Sequence, residues 1–459
     1  MSMWMARIWG LMAAGLFYVD VAQAAVAPHS LFADGAVLQQ GIAVPVWGTA
    51  NDGEKVTVKF QGQQVSTTAK DGHWLIKLKP LKPGGPFTMT IAGENTVEVK
   101  DLLVGEVWLC SGQSNMEFQL MGAENAKEAI AAAADPMLRL CTVKTTRGDT
   151  PQKDVSLIWR SLDKNGPSFA NNFSAVGYFF GRDLRKALKV PVGLIHASVG
   201  ATAIGWWTDK PTLEALPPAI RKQIAAELQD NQSVLYNGMI APLQPYAIRG
   251  VIWNQGESDK GHTDFYQTMF PAMIKSWRAA WGEGNFPFIF AQALPNDMWP
   301  PELREVQLRT WQTTANTAMI VATDCGDPTE IHPKKKEPLG IRFALAARAI
   351  AYGEKIEYSG PVYESMKVAG GHAVLNFTHV GSGLVARGGA LKGFTVAGKD
   401  GKFVKADAKI DGKTVVVSSK DVSSPHAVRY GWANTPDVNL WNKDGLPASP
   451  FRTDGPASK

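Results

Sequence analysis

Val104-Gly105-Glu106-Val107-Trp108-Leu109-Cys110-Ser111-Gly112-Gln113-Ser114-Asn115 is the stretch on which the fold turns. Its apolar half has the length and composition of a strand buried on both faces, which belongs to a parallel sheet. Its polar half contains Gly112, where the chain can turn sharply, and Ser114, where a following helix would start.

Outward from it, strand-like runs at 137–143, 192–197, 248–253, 286–291 and 318–323 alternate with helix-like stretches. Those stretches lie at 123–134, 175–188, 212–228, 265–281, 302–314 and 339–351. The alternation predicts an α/β fold with a mostly parallel sheet covered on both faces. Pro271 argues against the stretch at 265–281, because its ring removes a backbone donor. Toward the N-terminus, 44–47, 56–60 and 74–78 are short β-rich runs separated by turn residues, as in a small sandwich. Toward the C-terminus, 373–377, 394–396 and 414–417 return to that pattern between glycine-rich turns. The expected division is an N-terminal β domain over 25–100, the α/β domain over 101–355 and a C-terminal β domain over 356–459.

A chain of 459 residues with 45% hydrophobic and 19% charged residues is not disordered and has room for several domains. Lys+Arg 47 against Asp+Glu 42 leaves +5, spread along the chain. Its one tight basic run is Lys334-Lys335-Lys336, so a nucleic-acid partner is not expected. Arg7 precedes the apolar run 8–19, and Ala22-Gln23-Ala24 has the small-x-small cleavage pattern. Residues 1–24 therefore predict a signal peptide, and the mature chain is expected to be exported, to the periplasm or beyond, without a membrane anchor. Three cysteines exclude a disulfide framework. Cys110 and Cys141 follow leucines in expected strands and read as buried thiols, whereas Cys325 follows Asp324 in a loop, and one bridge stays open. There is no CxxC, HExxH or tight His/Cys cluster, so no metal is expected.

Loops at the carboxyl ends of strands share one edge of an open α/β sheet and build its site. Four segments hold that position: Ser111 to Asn115, Ser198 to Thr202, Asn254 to Ser258, and Asp324 to His332. Together they carry the parts of serine-based acyl transfer: a nucleophile, a base, a group to orient it and oxyanion donors. Ser114 is the candidate nucleophile, and it equally suits a helix cap. His332, after the last expected strand, is the candidate base. Gly200 is a turn glycine whose N–H an oxyanion can approach. Gln255 is either a surface amide or an oxyanion donor. Ser198 is a rival nucleophile, but His196 stands where a G-x-S-x-G elbow needs glycine.

Several blocks resemble the sialate O-acetylesterase family, a branch of the SGNH hydrolases. Gly105 to Met116 is similar to its nucleophile block. Tyr236 to Leu243 with Gly250 to Ser258 resembles its central block, and Ile331-His332-Pro333-Lys334 with Gly340-Ile341-Arg342 its histidine block. Val37 to Gly48 and Asn439 to Asp454 resemble its terminal signatures. The resemblance implies an SGNH, flavodoxin-like core with β-sandwich-like modules at both ends. It implies hydrolysis of O-acetyl esters of sugars, sialic acid foremost, without metal or organic cofactor, so the partner is an acetylated sugar or oligosaccharide. Carried over, Ser114 is the nucleophile, His332 the base, and the Ser114 N–H, Gly200 and Gln255 form the oxyanion hole.

Two departures matter. Ala201 stands where the family often has a second glycine, and a backbone donor there requires a negative φ. The group orienting His332 is open between Glu330, Glu257 and a backbone carbonyl near Thr329. Asn237, Tyr236, Trp206 and Trp207 are candidates to face the sugar, with core packing as the alternative for the aromatic three. Arg342 or Lys334 to Lys336 are candidates for a sialate carboxylate, against a solvated face or helix packing. The same blocks fit acetylated xylan or xyloglucan. Two other classes remain: a non-catalytic carbohydrate-binding protein, suggested by the β modules and 15 Trp, and an α/β-hydrolase acting through Ser198.

Overall fold

The decisive stretch lies in one 17-residue strand, β1 (Thr96–Gly112). The computed structural model describes residues 25–163 and 166–455, so the expected signal peptide lies outside the described residues. After β1 come α1 (Ser114–Glu117), β2 (Asp135–Thr142), β3 (Trp159–Leu162), α2 (Gly166–Ala170), α3 (Ala175–Leu188) and β4 (Val192–Ser198). Then follow β5 (Gly250–Asn254), α4 (Thr263–Trp281), β6 (Phe288–Ala291), α5 (Pro301–Thr313), β7 (Thr317–Ile320) and α6 (Glu337–Tyr352). The spatial order is β3-β2-β4-β1-β5-β6-β7. Neighbours are parallel except the edge pair β2–β3. Every residue of β4, β5, β6 and β7 is buried, which is why these strands read as unbroken apolar runs.

Helices cover both faces. Trp253 of β5 packs edge-on against Trp277 of α4, with ring centroids 5.7 Å apart. On the other face Trp108 of β1 meets Phe180 of α3 at 5.2 Å. The start of α3 is set by Ser174, whose Oγ accepts from the Gly177 N–H at 3.0 Å. Pro271 sits inside α4 without ending it. The buried face made by Phe270, Met273, Ile274 and Trp277 outweighs one lost backbone bond. The helix expected over 212–228 is instead two, Lys210–Ala215 and Pro218–Leu228. Pro217 forces Leu216 into an extended conformation (ψ 156°) and breaks the run.

The N-terminal β domain does not end at residue 100. Its strands Gly84–Ala92 and Val37–Gln39 pair directly with β1, and Lys55–Phe60 pairs with Gly84–Ala92. Module and core thus share one 11-stranded sheet, and the expected boundary falls inside a single strand. The join is pinned by Glu106, 1% exposed. Its carboxylate accepts from Gln39 Nε2 (2.9 Å), Gln40 Nε2 (2.6 Å) and Arg249 Nε (2.8 Å). The C-terminal module is built of two four-stranded antiparallel sheets and a two-stranded one. A second apolar core including Leu375, Val415, Val428 and Phe451 lies within it.

Removing the Glu106 carboxylate leaves the Arg249 guanidinium and the Gln40 amide without this acceptor, and the Gln39 amide with only the Gln40 carbonyl. Glu106→Ala is expected to lose about 3 kcal/mol of stability, measured by urea denaturation. A loss within about 0.5 kcal/mol, the range of ordinary surface changes, would show that the join does not depend on this residue.

Candidate active site

The site begins where β1 ends. Gly112 has φ +135°, and a Cβ there would lie 2.2 Å from the Asn254 carbonyl oxygen, so no side chain fits. The chain turns, Gln113 donates its N–H to that carbonyl at 2.9 Å, and α1 opens at Ser114. Gln113 Oε1 accepts from the Ser258 N–H at 3.3 Å, which ties the nucleophile loop to the loop after β5. Ser114 and His332 are both half-buried, and among the described residues neither the Ser114 hydroxyl nor the His332 ring is hydrogen-bonded. The backbone of Gly200 passes close to Ser114: a Cβ there would sit 3.3 Å from Ser114 Cβ.

Asn115, the residue after Ser114, links the loops. Its Nδ2 donates to Glu257 Oε1 at 2.9 Å and to the carbonyl of Ile331, the residue before His332, at 3.3 Å. Its Oδ1 accepts from Lys336 Nζ at 2.5 Å. Glu257 is buried and its Oε2 has no partner among the described residues. Burial pushes its pKa up, opposed by a hydrogen bond from its own backbone, by Asn115 and by the charges of Lys336 and His332. Lys336 is 1% exposed, lies 4.8 Å over the Phe118 ring, and is pushed down to about 8 by burial, with Glu257 opposing.

Glu330 is exposed and does other work. Its Oε1 accepts the backbone N–H of His332 at 2.8 Å. Asp327 accepts from the N–H groups of Thr329 and Glu330, so these acids shape the loop that carries the histidine.

Several expected roles differ in the structure. The Gln255 amide is already engaged: its Nε2 donates to the Thr202 carbonyl (3.0 Å) and to Asp259 (2.5 Å). Asp259 is the reason; burial pushes its carboxyl up to about 7, and it draws in both Gln255 and the Ile204 N–H. The Gly200 N–H is already used, donated to Glu117 Oε2 at 2.6 Å. Trp207 is fully buried, edge-on to Trp253, and donates Nε1–H to Thr202 Oγ1 at 2.9 Å, so it is core. Asn237 is buried and donates to the Gly148 carbonyl at 3.0 Å, holding a loop. Tyr236 is buried beside Gln244. Trp206 remains half-buried under the Arg147 guanidinium. Arg342 is buried and paired with Asp324 at 2.6 Å, and Lys335, at the surface, donates to the Asp324 carbonyl at 2.9 Å. Ser198 bonds His196 Nε2 at 2.6 Å, both buried. Cys110, Cys141 and Cys325 are free and buried. Among the described residues no group of three His, Cys, Asp or Glu is placed to hold a metal ion, and no helix is long and apolar enough to cross a membrane.

Sequence reasoning missed Asn115, Glu117 and Asp259, and it named Lys336 for a substrate carboxylate rather than for its buried bond to Asn115. Glu117 lies three residues after Ser114 and hence on its face of a helical turn, a signal present in the sequence. Lys336 was hidden in a run that reads as solvated.

The parallel sheet gathers the loops of Ser114, Glu257 and His332 at one edge, and the comparisons with known proteins place the chain among the esterases, which are hydrolases. Residues 104–349 match the family described as carbohydrate esterase, sialic acid-specific acetylesterase. The chain belongs to this family. It is 32% identical to human sialate O-acetylesterase over 88% of each chain, and 33% identical to the rat enzyme over 73% of this chain and 75% of that one. A solved carbohydrate acetylesterase from Xanthomonas citri is 40% identical, with a TM-score of 0.87, and is matched over 93% of this chain and 100% of that one.

Ala201 holds φ +58°, the left-handed conformation that a second glycine would adopt without strain. Ala201→Gly is therefore expected to stabilise the chain by about 0.5–1 kcal/mol in urea denaturation. A destabilised variant would refute the strain.

Proposed function

We propose that the protein hydrolyses O-acetyl esters of sugars, those of sialic acid foremost, through an acyl-enzyme on Ser114. The observation that carries this reading is the Asn115 bridge, which joins the nucleophile turn to the Glu257 carboxylate and to the backbone before His332. Ser114 attacks the acetyl carbonyl while His332 takes its proton. The oxyanion is met by the N–H of Ser114, which has no helical acceptor at the start of α1, and by the N–H of Gly200. Gln255 joins them only if it releases Asp259. The sugar hydroxyl leaves with the proton from His332, and water then releases acetate. The steps use no cofactor. The carboxyl-edge loops and doubly covered parallel sheet support the SGNH, flavodoxin-like reading of the core. Export, with a signal peptide over residues 1–24, belongs to the same proposal.

Glu257 is the acid that orients His332. It is buried, the charge of His332 bears on it, and it has an unpartnered oxygen, whereas Glu330 is turned to the backbone. Acetate release from p-nitrophenyl acetate and from O-acetylated sialic acid is expected in the native protein and absent in Ser114→Ala. Glu257→Gln should lower kcat by roughly 10²–10⁴. Glu330→Gln keeps an oxygen for the His332 N–H and should lose less than about tenfold. The reverse ranking would reassign the acid.

The Glu117 carboxylate rests on the N–H that the oxyanion needs and must leave before it forms. Glu117→Ala is expected to raise kcat for p-nitrophenyl acetate by about three- to tenfold. A fall in kcat would show that the carboxylate assists the reaction.

A further inference from the structure

Three of the four cations first in line for a substrate carboxylate are engaged, Arg342 and Lys335 by Asp324 and Lys336 by Asn115, and Lys334 is exposed. Another pair lies beside β2: Lys144 is past its carboxyl end, and Arg160 is level with Leu140, four residues further from the rim. β2 runs parallel to β4, and β4 to β1, so the carboxyl end of β2 shares the sheet edge that carries Ser114. The antiparallel β2–β3 ladder, extended by the Lys144 N–H to the Ser156 carbonyl, sets alternate residues on one face. Thr142, Lys144, Ile158 and Arg160 share that face and form one side of a groove of about 420 Å³. Phe169 of α2 and Asn172 form the other.

The groove is joined to the nucleophile loop. The Leu120 N–H donates to the Phe173 carbonyl at 2.9 Å, and the Ala175 N–H to the Phe118 carbonyl at 2.8 Å. Its lining holds two cations and no carboxylate. Neither Lys144 nor Arg160 is ion-paired among the described residues. The Arg160 guanidinium lies 5.0 Å over the Phe169 ring, which presents its donors at the surface. Ile158 is 60% and Phe169 37% exposed, beside hydroxyl and amide side chains. Apolar surface for C–H faces, donors for hydroxyls and two unpaired cations together fit a sugar that carries a carboxylate.

We propose that this groove is a subsite for a carboxylated sugar of the substrate, with Arg160 and Lys144 on the carboxylate and Phe169 and Ile158 against the ring. The inference rests on the Ser114–His332 reading. The carboxylate has two possible sources, the sialic acid that bears the ester or a uronic acid beside an acetylated residue.

The test compares kcat/KM for an O-acetylated sialic acid with that for its carboxyl methyl ester. A parallel arm compares acetylated glucuronoxylan oligosaccharides with the same material after carboxyl reduction. At low ionic strength the acid form is expected to be preferred about tenfold in at least one arm. That preference should fall toward one in the Arg160→Ala/Lys144→Ala double variant, and in the native protein at about 0.5 M salt. Each ratio is taken within one preparation, so a loss of folded protein cancels. The arm that shows the preference names the source. No preference in either arm, or a preference unchanged in the double variant, overturns the subsite while leaving Ser114-dependent acetate release intact. Acetate release that survives Ser114→Ala instead overturns the catalytic reading.

Discussion

Three loops leave the sheet at one level because they all register on Gly112. This residue pairs with Ser198 of β4 on one side and Asn254 of β5 on the other. The turn of Ser114, the Gly200 loop and the loop of Glu257 therefore start side by side. The arrangement requires the absence of a Cβ, since the Asn254 carbonyl occupies that space. It also requires β1 to be held along its length, and the N-terminal strands do that by extending the same sheet. The module the sequence marks as separate is thus part of what places the site, and the Glu106 carboxylate sits where its residues and those of the core meet on β1.

Charge is placed inside the site at a cost that only a closed set of partners offsets. A buried carboxylate such as Glu257 loses several kcal/mol of hydration, and a buried ammonium such as Lys336 a similar amount. Asn115 stands between them, donating to the acid and accepting from the lysine. Each atom of its amide has a defined polarity, so the order Glu257, Asn115, Lys336 admits only one orientation. The Oε2 of Glu257 is left without a hydrogen-bond partner among the described residues. The same set fixes the histidine loop from two points, through the Ile331 carbonyl and through Lys336.

Much of this was legible in the sequence and some was not, for physical reasons. The strands of the core were readable because burial on both faces leaves unbroken apolar runs, as in 192–197 and 286–291. The boundary at residue 100 was misplaced because strand pairing is a non-local property: nothing within 96–112 reveals that one half pairs with a sandwich and the other with a parallel sheet. Pro271 was overweighted because local propensity yields to a packed helix face, whereas Pro217 acted as its chemistry dictates. In the site, residue types and loop positions pointed to Ser114 and His332, but not the direction of an amide. Gln255 turns inward because Asp259, four residues on, is buried with it, and burial is not written in a loop's composition. Lys336 reads as solvated beside Lys334 and Lys335, yet one turn of backbone carries it under Phe118.

The pair Ser198 and His196 shows why residue identity alone does not make a nucleophile. Its hydrogen bond, 2.6 Å, is as short as a catalytic serine and base require. Yet both side chains lie on β4, two residues apart on one face of a buried strand, and no substrate carbonyl can reach them. Burial holds the His196 pKa down to about 4, and its Nδ1 has no partner among the described residues. The imidazole therefore lacks the acid that would stabilise it once protonated, and taking the serine proton there would create an uncompensated buried cation. Ser114 differs in each respect: it stands at a turn rather than within a strand, it is half-buried rather than enclosed, and the loop of its histidine is bonded to the residue that holds the acid. Enclosure within a strand, together with a partner that burial keeps neutral, marks Ser198 as structural.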